Sequence, residues 1–193
     1  MKLSFNAHIQ TMVKNSSKML GFLIRQCKHF TNLSVLRVLY ISFVRSRLEY
    51  ASQVWNPCYI KYAQEISAVE RKFLKFVHYK LTGRYPEWGV DNSYLLELAR
   101  IDDVSKRRTV RDLEFLQATV QGKIDVNSLR SEIILSAKRE AARSSNVLYC
   151  RTATKNVTRN APLRRMCEEF NKTLNDLDIL ENRIKISQLM LKY

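Results

Sequence analysis

The chain has 193 residues, with 33 Lys and Arg against 18 Asp and Glu, for a net charge of +15. That length buries a core of one or two compact domains, and that surplus favours a polyanionic partner, either nucleic acid or an anionic membrane face. Four glycines and three prolines are too few for a turn-dense all-β fold and favour long uninterrupted helices.

Leu3 to Asn6 reads as a lead-in, with Ser4 or Asn6 able to cap a helix. Ile9, Met12, Val13, Leu20, Leu23 and Ile24 then predict a helix from about His8, interrupted by a polar stretch at Asn15 to Lys18. Lys14, Lys18, Arg25 and Lys28 recur at near-helical spacing along one flank, as either a solvated face or a stripe that tracks phosphates. Thr31-Asn32 or Ser34 caps a second helix, about five turns long and ended by Pro57. Its apolar stripe is Leu36, Leu39, Tyr40, Phe43, Val44, Leu48, Ala51, Val54 and Trp55, with Arg45 and Arg47 beside it. A third helix, from about Tyr59 to Leu81, turns Ile60, Ala63, Ile66, Val69, Phe73, Phe76 and Val77 inward. Its C-terminal half is crowded with Arg71, Lys72, Lys75 and Lys80. Basic residues late in a helix also complement its dipole, so part of this pattern is structural.

Three long helices with short links make a self-sufficient bundle over residues 1–82. The turn formers in Gly83 to Gly89 predict a hinge or linker at 83–90. A smaller helical region, 91–193, is expected to follow. Its elements are a helix at about Asn92 to Ala99, another from Asp102 to Val120 stopped by Gly122, and one opened by Asp125 and running to roughly Ala137. Periodicity fades over about 143–161, where Arg143, Arg151, Lys155 and Arg159 suggest an exposed basic loop able to drape over a polyanion. Pro162 opens a helix to about Leu174, and a last helix runs from about Leu180 to Leu191. The expected fold class is therefore all-α.

Charge is uneven along this plan. Residues 1–83 carry 13 basic and 3 acidic side chains, and 84–193 carry 20 and 15, so the first half is the better candidate for touching phosphate. The longest apolar runs, Met19 to Ile24 and Val38 to Val44, are too short to span a bilayer, and no secretory h-region opens the chain. Cys27, Cys58, Cys150 and Cys167 lack C-x-x-C spacing, as expected of reduced thiols in an intracellular protein, nuclear or cytoplasmic. No catalytic or metal-binding pattern is legible. His8, His29 and His78 are dispersed, and there is no glycine-rich phosphate loop. Asp102-Asp103 sits where acids ordinarily cap a helix. No metal, cofactor or enzymatic activity is expected.

Several runs carry a family resemblance. The most characteristic joins Leu39-Tyr40 and Val44-Arg45 to Leu48-Glu49-Tyr50-Ala51-Ser52 and Val54-Trp55-Asn56-Pro57, followed by Val69 to Leu74. With Leu3 to Ile9 and Lys18 to Arg25 before them, these resemble the region just after the polymerase palm in jockey-like non-LTR (LINE-type) retrotransposon reverse transcriptases. Arg107-Arg108, Asp112, Phe115-Leu116 and Gly122 to Asp125, then Pro162, Arg165, Asn171 and Asp178, are similar to the family's later segments. The resemblance implies that residues 1–82 are a thumb-like three-helix bundle, a part that in those RNA-directed DNA polymerases grips primer–template duplex through its backbone. It implies Arg25, Arg45, Arg47, Arg71 and Lys75 as nucleic-acid contacts, to which the basic spacing adds Lys28 and Lys72. It also implies that the palm with its catalytic aspartates is absent, as in a truncated element copy or a partial gene model. The missing polymerase domains are then possible partners. The alternatives are a helical module that docks on polymerase or other protein domains, using Phe43, Trp55 and Phe73, or a captured host protein that binds RNA on its own account.

Overall fold

The computed structural model describes residues 5–136, 146–150, 161–173, 179 and 186. The fold is all-α, with one two-stranded sheet among the described residues. The chain forms two compact units, Ser4–Arg107 and Arg108–Tyr193.

In the first unit, α1 (Asn6–Gln26) turns Ile9, Met12, Leu20 and Leu23 inward, and a short 3-10 turn (Cys27–His29) ends it. The return is not one continuous helix. It runs through α2 (Leu33–Tyr40), a π-helical segment (Ile41–Arg45), α3 (Ser46–Glu49) and α4 (Ser52–Trp55). Asn32 caps α2, its Oδ1 accepting from the backbone N–H of Ser34 at 2.9 Å and of Val35 at 3.3 Å. Between α3 and α4, Ala51 adopts φ 52°, a left-handed conformation that ends the helix without glycine. Beyond Pro57, α5 (Ile60–Thr82) carries a buried stripe from Ile66 to Val77.

The three helical segments run up, down and up. The His8 ring at the start of α1 lies 5.8 Å from the Trp55 ring at the end of α4. At the opposite end, Lys80 of α5 donates to the carbonyl of Lys28 just after α1. Midway, Tyr40 and Phe73 stack face to face, with ring centroids 3.9 Å apart and planes 5° from parallel. Both rings are fully buried, so their contact combines area burial with an aromatic pair.

The same core continues past the expected bundle limit at residue 82. Leu95 and Ala99 of α6 (Asn92–Ala99), then Ile101 and Val104, are buried within it. The 83–90 stretch, expected as a hinge, is therefore a connection inside the first unit. The division into units falls within α7 (Val104–Val120), between Arg107 and Arg108. Asp103 opens α7, its Oδ1 accepting from the N–H of Ser105 at 2.8 Å and of Lys106 at 3.0 Å, so the second acid of the pair caps the helix.

The second unit corrects one expectation. The helix from Asp125 to about Ala137 is instead a single turn, α8 (Asn127–Arg130), followed by β1 (Ile134–Leu135). β1 pairs antiparallel with β2 (Leu148–Tyr149) in the register Ile134 to Tyr149 and Leu135 to Leu148. The run Ile133-Ile134-Leu135 contains two β-branched residues and favours the extended state. The helix opened by Pro162 is present as α9 (Pro162–Thr173), with Met166, Cys167 and Phe170 inward. Asn171 extends the sheet's hydrogen bonding. Its Oδ1 accepts from the Leu148 N–H at 3.1 Å and its Nδ2 donates to the Leu148 carbonyl at 2.8 Å. Most of the expected basic loop and closing helix lies outside the described residues.

Candidate nucleic-acid interface

The seven candidate basic residues divide by position. Arg25, Lys28, Arg47, Arg71 and Lys72 are exposed, Lys75 is half-buried, and Arg45 is buried at 3% exposure.

Arg45 is therefore no surface contact; its charge is consumed inside the unit. Its Nη2 donates to Glu70 Oε1 at 2.8 Å and also to the carbonyl of Asp102. Its Nε lies 3.4 Å from Glu49 Oε1, and its guanidinium sits 5.9 Å from the Tyr40 ring centre. Glu70 spends its other oxygen on the Val104 N–H, at 3.0 Å, at the start of α7. Glu49 in turn accepts from Arg107 Nε at 2.9 Å, and Arg107 Nη1 lies 3.6 Å from Asp102 Oδ2. A chain of alternating charges thus ties α3 and α5 to the segment that opens α7.

The π-helical segment explains why Arg45 points inward. A normal α-helix spaces its buried positions by three and four, whereas the wider π turn admits one more residue to the same face. Val44 and Arg45 are both buried as a result, and Phe43, expected in the stripe, is 49% exposed. Val54 and Ala51 also leave the core, for the same reason compounded by the break at Ala51.

Burial pushes the Glu70 carboxyl above its ordinary value of 4.5, an effect that Arg45 and the Val104 N–H oppose. Burial likewise raises the Tyr40 phenol, and Glu70 raises it further.

The remaining cations form two groups on the first unit. At one end of the bundle, Lys80 bridges from α5 to the Lys28 carbonyl, and Arg25 is exposed three residues before Lys28. Lys14 and Lys18 are exposed on α1 and share a face with Arg25, since steps of four and seven return to one side of a 3.6-residue helix.

The second group lies along the outer face of α5. Arg71 Nη2 donates to the Val90 carbonyl at 2.9 Å, Lys75 Nζ sits 5.9 Å over the Tyr85 ring, and His78 Nδ1 lies 3.1 Å from the Arg84 carbonyl. Residues 84, 85 and 90 therefore lie against 78, 75 and 71, so the connection doubles back along α5. Lys72 is exposed beside them. Arg47 is exposed on α3.

Among the described residues no three His, Cys, Asp or Glu side chains converge as a metal site. No helix there is long and apolar enough to cross a membrane. Comparison with protein-family models, curated proteins and solved structures gives no match to the chain.

Proposed function

We propose that the first unit binds nucleic acid through lysine and arginine contacts to phosphate, as a helical module of the kind that grips duplex beside a polymerase active site. The observation that carries this reading is the basic outer face of α5, with Arg71 and Lys72 exposed and Lys75 half-buried, in a chain of net charge +15. Arg25 and Lys28, backed by Lys80, add a second anchor at the end of the bundle. The origin in a LINE-type reverse transcriptase belongs to the same proposal and rests on the sequence runs alone. So does an intracellular setting, nuclear or cytoplasmic. The role proposed for these residues is positioning of the backbone, which fixes register without reading base sequence.

Fluorescence anisotropy of the purified chain against a labelled RNA–DNA hybrid, titrated across salt, tests this. Each phosphate contact adds about 0.9 to the log–log salt slope on duplex DNA, so three to five contacts give a slope of roughly −3 to −4.5. The joint variant Arg71→Gln, Lys72→Gln, Lys75→Gln is expected to flatten the slope by about two units or more. Absence of binding at low salt by a folded sample overturns the proposal.

One observation favours a second reading, docking onto another protein. Val35, Val38, Ile41 and Phe43 are exposed large apolar residues on the central segment, a patch of the kind partner proteins cover. Rescue of solubility by added polymerase domains, with no salt-dependent nucleic-acid affinity, would establish it.

A further inference from the structure

The connection between α5 and α6 is held at several points, yet it presents its largest ring to solvent. At its start, Thr82 Oγ1 accepts from the Arg84 N–H at 3.3 Å, and the Arg84 carbonyl lies 3.0 Å from the same hydroxyl and 3.1 Å from His78 Nδ1. At its end, Arg71 holds the Val90 carbonyl, and between them Pro86 is buried. Gly83 and Gly89 take φ of 72° and 89°, turning the chain in and out where other residues would be strained. Immediately before Gly89, Trp88 is 102% exposed, and Tyr85 is 64% exposed with Lys75 over its ring.

An indole on a fixed loop that buries none of its own area contributes nothing to the core. Arg71 and Lys75 of α5 hold this loop through Val90 and Tyr85, Lys72 is exposed on the same helix, and the loop itself carries Arg84 against Glu87 and Asp91. Aromatic faces interleaved with cations suit a ligand that offers flat rings and phosphates together.

We propose that this loop is a stacking platform for unpaired bases, with Trp88 and Tyr85 as the rings and Arg71, Lys72 and Lys75 tracking the backbone. The nucleic acid taken here is then single-stranded, or a duplex bearing a single-stranded tail. This rests on the phosphate-binding reading above and narrows it. Duplex bases are already stacked and paired, whereas a tail leaves its π faces open to the two rings.

The test compares the full-length chain and its Trp88→Ala and Trp88→Phe variants on a blunt hybrid duplex and on the same duplex with an oligouridine tail, by anisotropy at one salt concentration. Base–aromatic stacking predicts that Trp88→Ala weakens tailed-duplex binding by about tenfold while changing blunt-duplex affinity less than about twofold, and that Trp88→Phe restores part of the loss. The tail is also expected to quench the indole fluorescence of wild type, and Trp88→Ala to abolish that quenching, because the other indole, Trp55, is buried. Equal affinity for both duplexes with no quenching overturns the platform and leaves duplex binding intact. Failure to bind either probe overturns the phosphate reading as well, and Trp88 is then better assigned to a protein contact.

Discussion

Replacing Arg45 by Met separates the two roles that this residue could have. As a surface phosphate contact, it could be lost at almost no cost in stability. The structure instead places it between Glu49 and Glu70, with its Nη2 2.8 Å from one carboxylate and its Nε 3.4 Å from the other. Methionine fills much of the space but leaves Glu70 without its cation, still accepting from the Val104 N–H, while Glu49 keeps Arg107. Removing one partner of a buried ion pair costs about 3–5 kcal/mol, chiefly because the other charge is stranded. Against a total stability of about 5–15 kcal/mol for a typical domain, that is a large fraction.

The double variant Arg45→Met, Glu70→Gln removes both charges and keeps an acceptor for the Val104 N–H. It is expected to recover to within about 1.5 kcal/mol of wild type, since buried pairs exchanged together cost little. Urea unfolding followed by circular dichroism reads both values. The pH dependence has a definite sign. Burial already raises Glu70 above 4.5, and Arg45 opposes that rise, so its loss pushes the carboxyl higher still. The folded variant then holds the Glu70 proton more tightly than the unfolded chain does. Its stability deficit against wild type should therefore shrink as pH falls from neutral through the variant's folded pKa, and level off below the wild-type folded value, which itself lies above 4.5. A single-variant loss under about 1 kcal/mol, or a double variant no better than the single, refutes the assignment of Arg45 to the interior.

Two further outcomes follow from the backbone and the unit boundary. Ala51→Gly is expected to stabilise the chain by about 0.5–1 kcal/mol, because relief of the left-handed conformation at φ 52° outweighs the added unfolded-state freedom; thermal unfolding that shows a loss contradicts this. A fragment ending at residue 82 should unfold at lower urea than one ending at 107, because it lacks the Asp102 carbonyl and the Val104 N–H that satisfy Arg45 and Glu70.

The helical plan of the first unit was largely legible because its signals are local. Asn32 caps where an Asn at a helix start should, and α5 follows its apolar stripe from Ile66 to Val77. The first position expected in that stripe misled: Ile60 lies at the exposed first turn of α5. The charged core was not read as such, although Glu70 gave a signal. It falls four residues after Ile66 and three before Phe73, inside the apolar stripe, where an acid must find a partner. Its partner could not be read, because the inward turn of Arg45 depends on the π-helical segment. No periodicity of three and four encodes that widening. The short sheet was missed for a related reason, as its two strands pair across a gap in sequence that no local pattern bridges.

The network also limits what the net charge can say about the site. A surplus of cations is a property of the whole surface field, and it cannot distinguish a side chain that meets solvent from one that neutralises a buried acid. Arg45 and Arg107 stand beside Glu49 and Glu70 and are spent on folding the unit. What remains for a polyanion is selected by geometry: the cations on the outer face of α5, and those where α1 and α5 end together. Arg71 occupies a middle position, since its guanidinium fixes the returning connection through the Val90 carbonyl while remaining exposed. Under the proposed phosphate reading, Arg71 would both track phosphate and hold the Trp88 loop in place. Loss of Arg71 should therefore weaken blunt and tailed duplexes together, whereas loss of Trp88 separates them.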